Sequence, residues 1–159
     1  LYLARRYDES IVQFERTIEL NPYYWFTYQR LAQALVSTGE YDRGVEVMRK
    51  GIALAGPDTL RPCKHTLANL HARSGNRAEA VRILRELEEQ AKTTYVPPCD
   101  FAQIHTALGN VEEAFRWLDR AVEVRDADLF MTKVWPVWDP LRDDPRFDQL
   151  LRRLDLSED

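Results

Sequence analysis

Apolar residues recur at intervals of three and four along most of the chain, with polar and charged residues between them. That spacing gives each of a series of helices one apolar stripe. The pattern predicts helices near Asp8–Leu20, Tyr23–Thr38, Asp42–Ala55, Asp58–Ser74, Arg77–Lys92, Pro98–Leu108, Val111–Val124 and Asp126–Lys133, and a last one near Pro145–Leu154. Strand-like alternation is absent. Gly39, Gly75 and Gly109 stand where a left-handed residue closes a helix at little cost. Gly56-Pro57-Asp58 reads as a stop followed by a start, and Asp144-Pro145 as an oxygen cap with proline at the first helical position. Trp135-Pro136-Val137-Trp138-Asp139-Pro140 cannot be regular helix, because proline lacks a donor and restricts the residue before it.

The helices also repeat. Leu31-Ala32, Leu67-Ala68 and Phe101-Ala102 stand at the same distance ahead of Gly39, Gly75 and Gly109. Gly44, Ala80 and Ala114, then Met48, Leu84 and Leu118, follow in the same frame. With Arg5 in the glycine place, Tyr7, Ser10, Phe14, Thr17 and Pro22 make a fourth copy. The period is about thirty-five residues, that of a supersecondary unit which cannot bury its apolar face alone. The in-frame small residues let two helices of a pair approach closely.

The second copy, with Tyr28, Leu31, Ala32, Leu35, Gly39, Tyr41, Gly44 and Met48, resembles the tetratricopeptide repeat, a helix-turn-helix unit. Tyr7-Asp8-Glu9-Ser10-Ile11 through Glu19-Leu20-Asn21-Pro22 is similar to the second helix of such a repeat. Arg77 and Val111 depart from the aromatic of the motif, Gly51 from an alanine, and Lys92 and Asp126 from a closing proline. The segment from Lys133-Val134 to Asp139-Pro140-Leu141-Arg142-Asp143-Asp144-Pro145-Arg146-Phe147 resembles the end of repeat regions in large bacterial sensor, kinase and transcription-regulator proteins. The resemblance implies an all-α, right-handed α-solenoid of antiparallel helix pairs with a C-terminal helical cap. Residues 1–134 would form the repeats, the first one partial, and residues 135–159 the capping segment. Trp135, Trp138, Leu141, Phe147, Leu150 and Leu151 are expected to cover the last apolar face.

Composition narrows the partners. The 159 residues carry a net charge of −4 with both signs plentiful, which argues against nucleic acid. No apolar run approaches the roughly 18–20 residues that span a bilayer, so membrane insertion by this segment is not expected. The start shows no signal-peptide pattern and falls inside a repeat, so the sequence reads as a fragment. Cys63 and Cys99 make no disulfide framework. Free thiols favour a reducing compartment, and a cytoplasmic location is expected.

Catalytic chemistry finds little support. Cys63, His65, His71, Cys99 and His105 can be drawn as a metal set, but Cys63 and His65 fall on different helix faces and zinc-ligand spacing is absent. Neither a glycine-flanked nucleophile nor a phosphate loop occurs. Glu86, Glu88, Glu89, Glu112 and Glu113 read as solvated helix faces, and Arg152-Arg153 as charges suited to a helix C-terminus. The expectation is a non-enzyme without cofactor or metal.

By resemblance, the first helix of each repeat lines a concave groove. The inward residues implied are Phe26, Gln29, Gln33, Val36 and Ser37, then His65, Asn69, Ala72 and Arg73, then Val96, Cys99, Gln103 and Thr106, with Tyr2 and Leu3 beginning the row. None is acidic. A protein or peptide with apolar or aromatic anchors is the expected partner, held by amides and by an aromatic shelf at Tyr23-Tyr24-Trp25-Phe26. The alternative is self-association, with a homo-oligomer formed through the N-terminal face around Ile11, Phe14 and Ile18.

Overall fold

The computed structural model describes residues 1–55 and 60–156, and every regular element among them is helical. Helices run over Tyr7–Leu20 (α1), Trp25–Thr38 (α2), Tyr41–Ala55 (α3), Leu60–Arg73 (α4), Arg77–Ala91 (α5), Pro98–Ala107 (α6), Val111–Val124 (α7) and Pro145–Arg153 (α8). The expected stop and start at Gly56-Pro57-Asp58 lies outside the described residues. Gly39, Gly75 and Gly109 have φ of +81°, +84° and +73°, the left-handed conformation that the helix ends require. Arg5, in the glycine place of the first copy, adopts it too, at φ +58°.

Consecutive helices pack as antiparallel pairs, α2 on α3, α4 on α5 and α6 on α7, with α1 against α2. α2, α4 and α6 also touch in sequence, so they form the inner layer of an all-α solenoid. Small residues permit this. Ala32, Ala68, Ala80, Ala102 and Ala114 are all fully buried. A Cβ on Gly44 would stand 2.5 Å from Leu70 Cδ2, and one on Gly51 2.7 Å from Tyr28 Cβ. Core clusters therefore follow the repeat. One holds Ala32, Val45, Met48, Cys63 and Leu70, and the next Ala68, Ala80, Leu84, Leu87 and Phe101.

After α7 the chain leaves the repeat. A regular helix over Asp126–Lys133 does not form; a 3₁₀ helix spans Ala127–Met131 instead. The reason is local. Arg125 turns left-handed at φ +54° and ends α7. Asp126 then accepts from the Asp128 N–H at 3.1 Å and from the Cys99 N–H at 3.0 Å, which ties the start of the tail to the start of α6. A second 3₁₀ helix, Pro136–Leu141, carries Pro136 and Pro140. Asp144 caps α8 by accepting from the Arg146 N–H at 2.9 Å. Trp138, Leu141, Phe147 and Leu150 are buried against Ala102, Ala114, Phe115 and Leu118, which makes this segment the helical cap on α6 and α7.

Candidate functional site

The concave side of α2, α4 and α6 is not an open groove. Asp128, Trp135, Pro136, Val137, Asp139 and Pro140 of the tail line cavities with residues of α2, α4 and α6, forming a strap on that side, and Asp139 meets Arg5 of the N-terminal segment. Arg5 grips Asp139 with both guanidinium nitrogens, Nη2 lying 2.7 Å from Oδ1. Arg142 Nε reaches the same Oδ1 at 2.7 Å. These two cations, Arg5 foremost, hold the Asp139 carboxyl below the usual carboxylate range. Trp135 turns inward, and the Arg30 guanidinium lies between its ring and that of Phe26, 5.8 Å and 4.5 Å from the two centroids. Cation–aromatic attraction therefore joins α2 to the tail.

Two of the cavities that this strap borders take in the anticipated groove residues. The larger, about 450 Å³, is bounded by Gln33 and Ser37 on α2, Asn69 and Arg73 on α4, Gln103 on α6, and by Tyr2, Arg5, Trp135, Val137 and Asp139 on the strap side. Asn69 Nδ2 donates to the Gln103 carbonyl at 3.4 Å, and Arg73 Nε to Asn69 Oδ1 at 3.2 Å. Gln103 Nε2 is buried without a partner. Burial pushes the Tyr2 phenol up to about 12, against a bond with Ser37 that acts the other way.

The smaller cavity, about 210 Å³, is lined by Phe26, Gln29, Arg30, His65, Asp100, Asp128 and Trp135, among others. Gln29 Nε2 donates to Thr66 Oγ1 at 3.1 Å. His65 Nδ1 stands 3.1 Å from Asp100 Oδ1, close enough to pair but without hydrogen-bond alignment. Burial, the largest single influence, opposes a charge on His65, but the Asp100 and Asp128 carboxylates together raise the imidazole above its ordinary value. Asp128 is also raised, first by burial and then by Asp100 and Asp126.

The anticipated groove residues thus separate. Gln33, Ser37, Asn69, Arg73 and Gln103 meet around the larger cavity, while Phe26, Gln29 and His65 meet around the smaller, which Gln33 also borders. Thr106 borders neither and bonds back to the Ala102 carbonyl at 2.8 Å. Gln29, His65, Asn69, Gln103 and Thr106 are all buried. Missed in the sequence were Arg5, Trp135, Val137 and Asp139. The signal available was the density of tryptophan and proline at 135–140, more than a flat end cap needs. The expectation of no inward carboxylate is overturned: Asp100 on the inner helix α6 borders the smaller cavity, and Asp128 and Asp139 border the cavities from the tail.

Cys63 and Cys99 are free and buried, and desolvation raises both thiols, Cys63 to about 11. Thiols so raised are poor nucleophiles. Burial lowers His71 and His105, which pack within the repeats. Among the described residues no three potential ligands gather for a metal ion, and no helix is long and apolar enough to cross a membrane.

Family models described as tetratricopeptide repeat match residues 27–58, 62–86 and 99–125, together just over half of the chain. Those stretches follow α2–α3, α4–α5 and α6–α7. The chain is a tetratricopeptide repeat protein. No curated protein and no solved structure matches it. Tetratricopeptide repeats generally mediate protein–protein interaction, and such proteins are typically non-enzymatic scaffolds.

Proposed function

We propose that this tetratricopeptide repeat protein is a scaffold or regulatory module that binds a partner protein through its concave side, at the larger cavity. The observation that carries the reading is the convergence of Gln33, Asn69, Arg73 and Gln103, from three successive repeats, on one hollow with aromatic walls. Amides and a guanidinium suit the backbone and acceptor groups of a short peptide segment. Tyr2 and Trp135 suit an apolar or aromatic anchor, a residue type that dominates binding energy at such sites. The strap leaves room for an inserted loop or chain end rather than a long extended peptide.

Replacing Asn69 and Arg73 together by alanine tests this. With the partner recovered on the full chain and then titrated, the double variant is expected to bind about tenfold or more weakly. Circular dichroism checks that its helix content is kept. Binding equal to wild type removes the concave cavity as the site.

A second reading has its own observation. Leu1, Leu3, Phe14, Phe130 and Met131 border an apolar hollow of about 520 Å³, with Phe130 70% exposed. A surface of that kind suits self-association. Light scattering at several concentrations separates the two readings.

A further inference from the structure

We propose that the strap from Asp128 to Val137 is a pH-sensitive cover, seated on the inner helices while His65 carries a proton and released as that proton is lost. This goes beyond the protein-binding reading, since it concerns the chain without a partner.

His65 stands where four parts of the fold meet. It leaves α4 and borders the smaller cavity together with Arg30 of α2, Asp100 of α6, and Asp128 and Trp135 of the strap. Gln29, also of α2, is neutral and engaged with Thr66. Among the described residues, α3 and α5 contribute nothing to this lining. Asp126 adjoins Asp128 and spends its oxygens on the N–H groups of Cys99 and Asp128. The Cys99 thiol, raised by burial, stays neutral. The imidazole therefore faces carboxylates on α6 and on the strap, with the Arg30 guanidinium as the other cation. Asp100 is 4% exposed and Asp126 7%, so solvent screens these charges little.

A proton on His65 lets it attract Asp100, 3.1 Å away on α6, and Asp128 on the strap at once. Without it, the carboxylates on the two sides of the seat repel each other, and Arg30, shared with Gln33 and two rings, is left to offset them. Burial opposes a charge on His65, and Asp100 with Asp128 raise the imidazole all the same. The closed seat thus holds the proton more tightly than solvent does, and linkage makes loss of the proton favour the open strap.

The strap also gains by opening. Thr132 Oγ1 and, in the seat, His65 Nδ1 are buried without a hydrogen-bond partner, a cost that water would relieve. Residues Ala127–Met131 form a 3₁₀ helix, whose hydrogen bonds are poorer than those of an α-helix. Phe130 and Val134 are already exposed. The fixed ends are Asp126, tied to α6, and Trp138, which is fully buried in the cap.

NMR of the full chain between roughly pH 6 and pH 9 tests this. The His65 imidazole is expected to titrate above its ordinary value, apart from His71 and His105, which burial lowers. The Trp135 indole resonance is expected to move with the same midpoint. Amide protection over residues 129–135 is expected to fall about threefold or more across it. That exchange should be insensitive to dilute denaturant, unlike exchange at Leu35 and Leu70, which are fully buried and open with the whole fold. His65→Gln is expected to show the weaker protection at every pH. Asp128→Asn, at a half-buried strap position, is expected to flatten the response. If His65→Gln fails to fold, Asp128→Asn and the wild type decide. Strap protection that stays flat through the His65 titration overturns the proposal. So does a wild-type response in Asp128→Asn, or strap exchange with the denaturant dependence of Leu35 and Leu70.

Discussion

Arg125 ends α7 in the left-handed conformation with its side chain in solvent. A residue with a Cβ loses about 1–2 kcal/mol there relative to its ordinary conformation, while glycine loses little beyond its extra unfolded-state entropy. Arg125→Gly is therefore expected to stabilise the protein by about 1 kcal/mol in denaturant unfolding. Arg5 has the same backbone but a different outcome. Its replacement by glycine would relax φ yet remove the grip on Asp139, an exposed pair worth about 0–1 kcal/mol, so the two effects nearly offset. The sequence frame had already put Arg5 in the glycine place. Its φ shows that the place itself, rather than the glycine, demands that conformation.

Helix pairing depends on what is missing from side chains as much as on what is present. Gly51 on α3 faces Tyr28 on α2, and an added Cβ would lie 2.7 Å from the Tyr28 Cβ, an atom fixed to the α2 backbone. Gly51→Ala gains about 1 kcal/mol of helix propensity and incurs an overpacking cost of roughly 1–3 kcal/mol. The second term wins because the obstacle cannot rotate away, and a lower Tm is expected in thermal unfolding. Gly44 is different, since the atom it would meet is the end of Leu70. The helix anticipated over Asp126–Lys133 shows the opposite limit of sequence reading. Its apolar spacing was compatible with a regular helix, but Asp126 spends both carboxylate oxygens on the N–H groups of Cys99 and Asp128, and the backbone tightens to 3₁₀. One of those partners is 27 residues away in sequence, out of reach of any local pattern.

The tail both caps the solenoid and roofs its concave side. Deleting everything after Lys133 would bare Ala102, Ala114, Phe115 and Leu118 and open both cavities. The truncated chain is expected to unfold at lower denaturant and to aggregate in light scattering; a stable monomer would show that the tail does not hold the core. His65 links the same parts, facing Asp100 on α6, Asp128 on the tail and Arg30 on α2. Because its pKa is raised on folding, its contribution is fully present below the unfolded value of about 6.5 and is lost as pH rises through the higher folded value. Wild-type stability is expected to fall across that window more than stability of His65→Gln, which imidazole titration by NMR would place on the pH axis.

The repeat and its consequences were determined by the sequence alone. Apolar spacing of three and four makes helices wherever it occurs, in-frame glycine and alanine make pairs wherever they recur, and both act over a few turns of chain. The cap was legible for the same reason, since the last pair leaves an apolar face, and Trp135, Trp138, Leu141, Phe147 and Leu150 pack on it with Leu151 beside them. The shape of the site was decided by tertiary structure. The family resemblance implied that Gln33, Asn69, Arg73 and Gln103 lie on the inner side, but it carried no information on what lies opposite them. That was settled by contacts between the two ends of the chain, Arg5 with Asp139, and by Arg30 lying between Phe26 and Trp135. Charge and ring pairing at such separation depends on how far each repeat turns relative to the last, a sum of small rotations that no local pattern specifies.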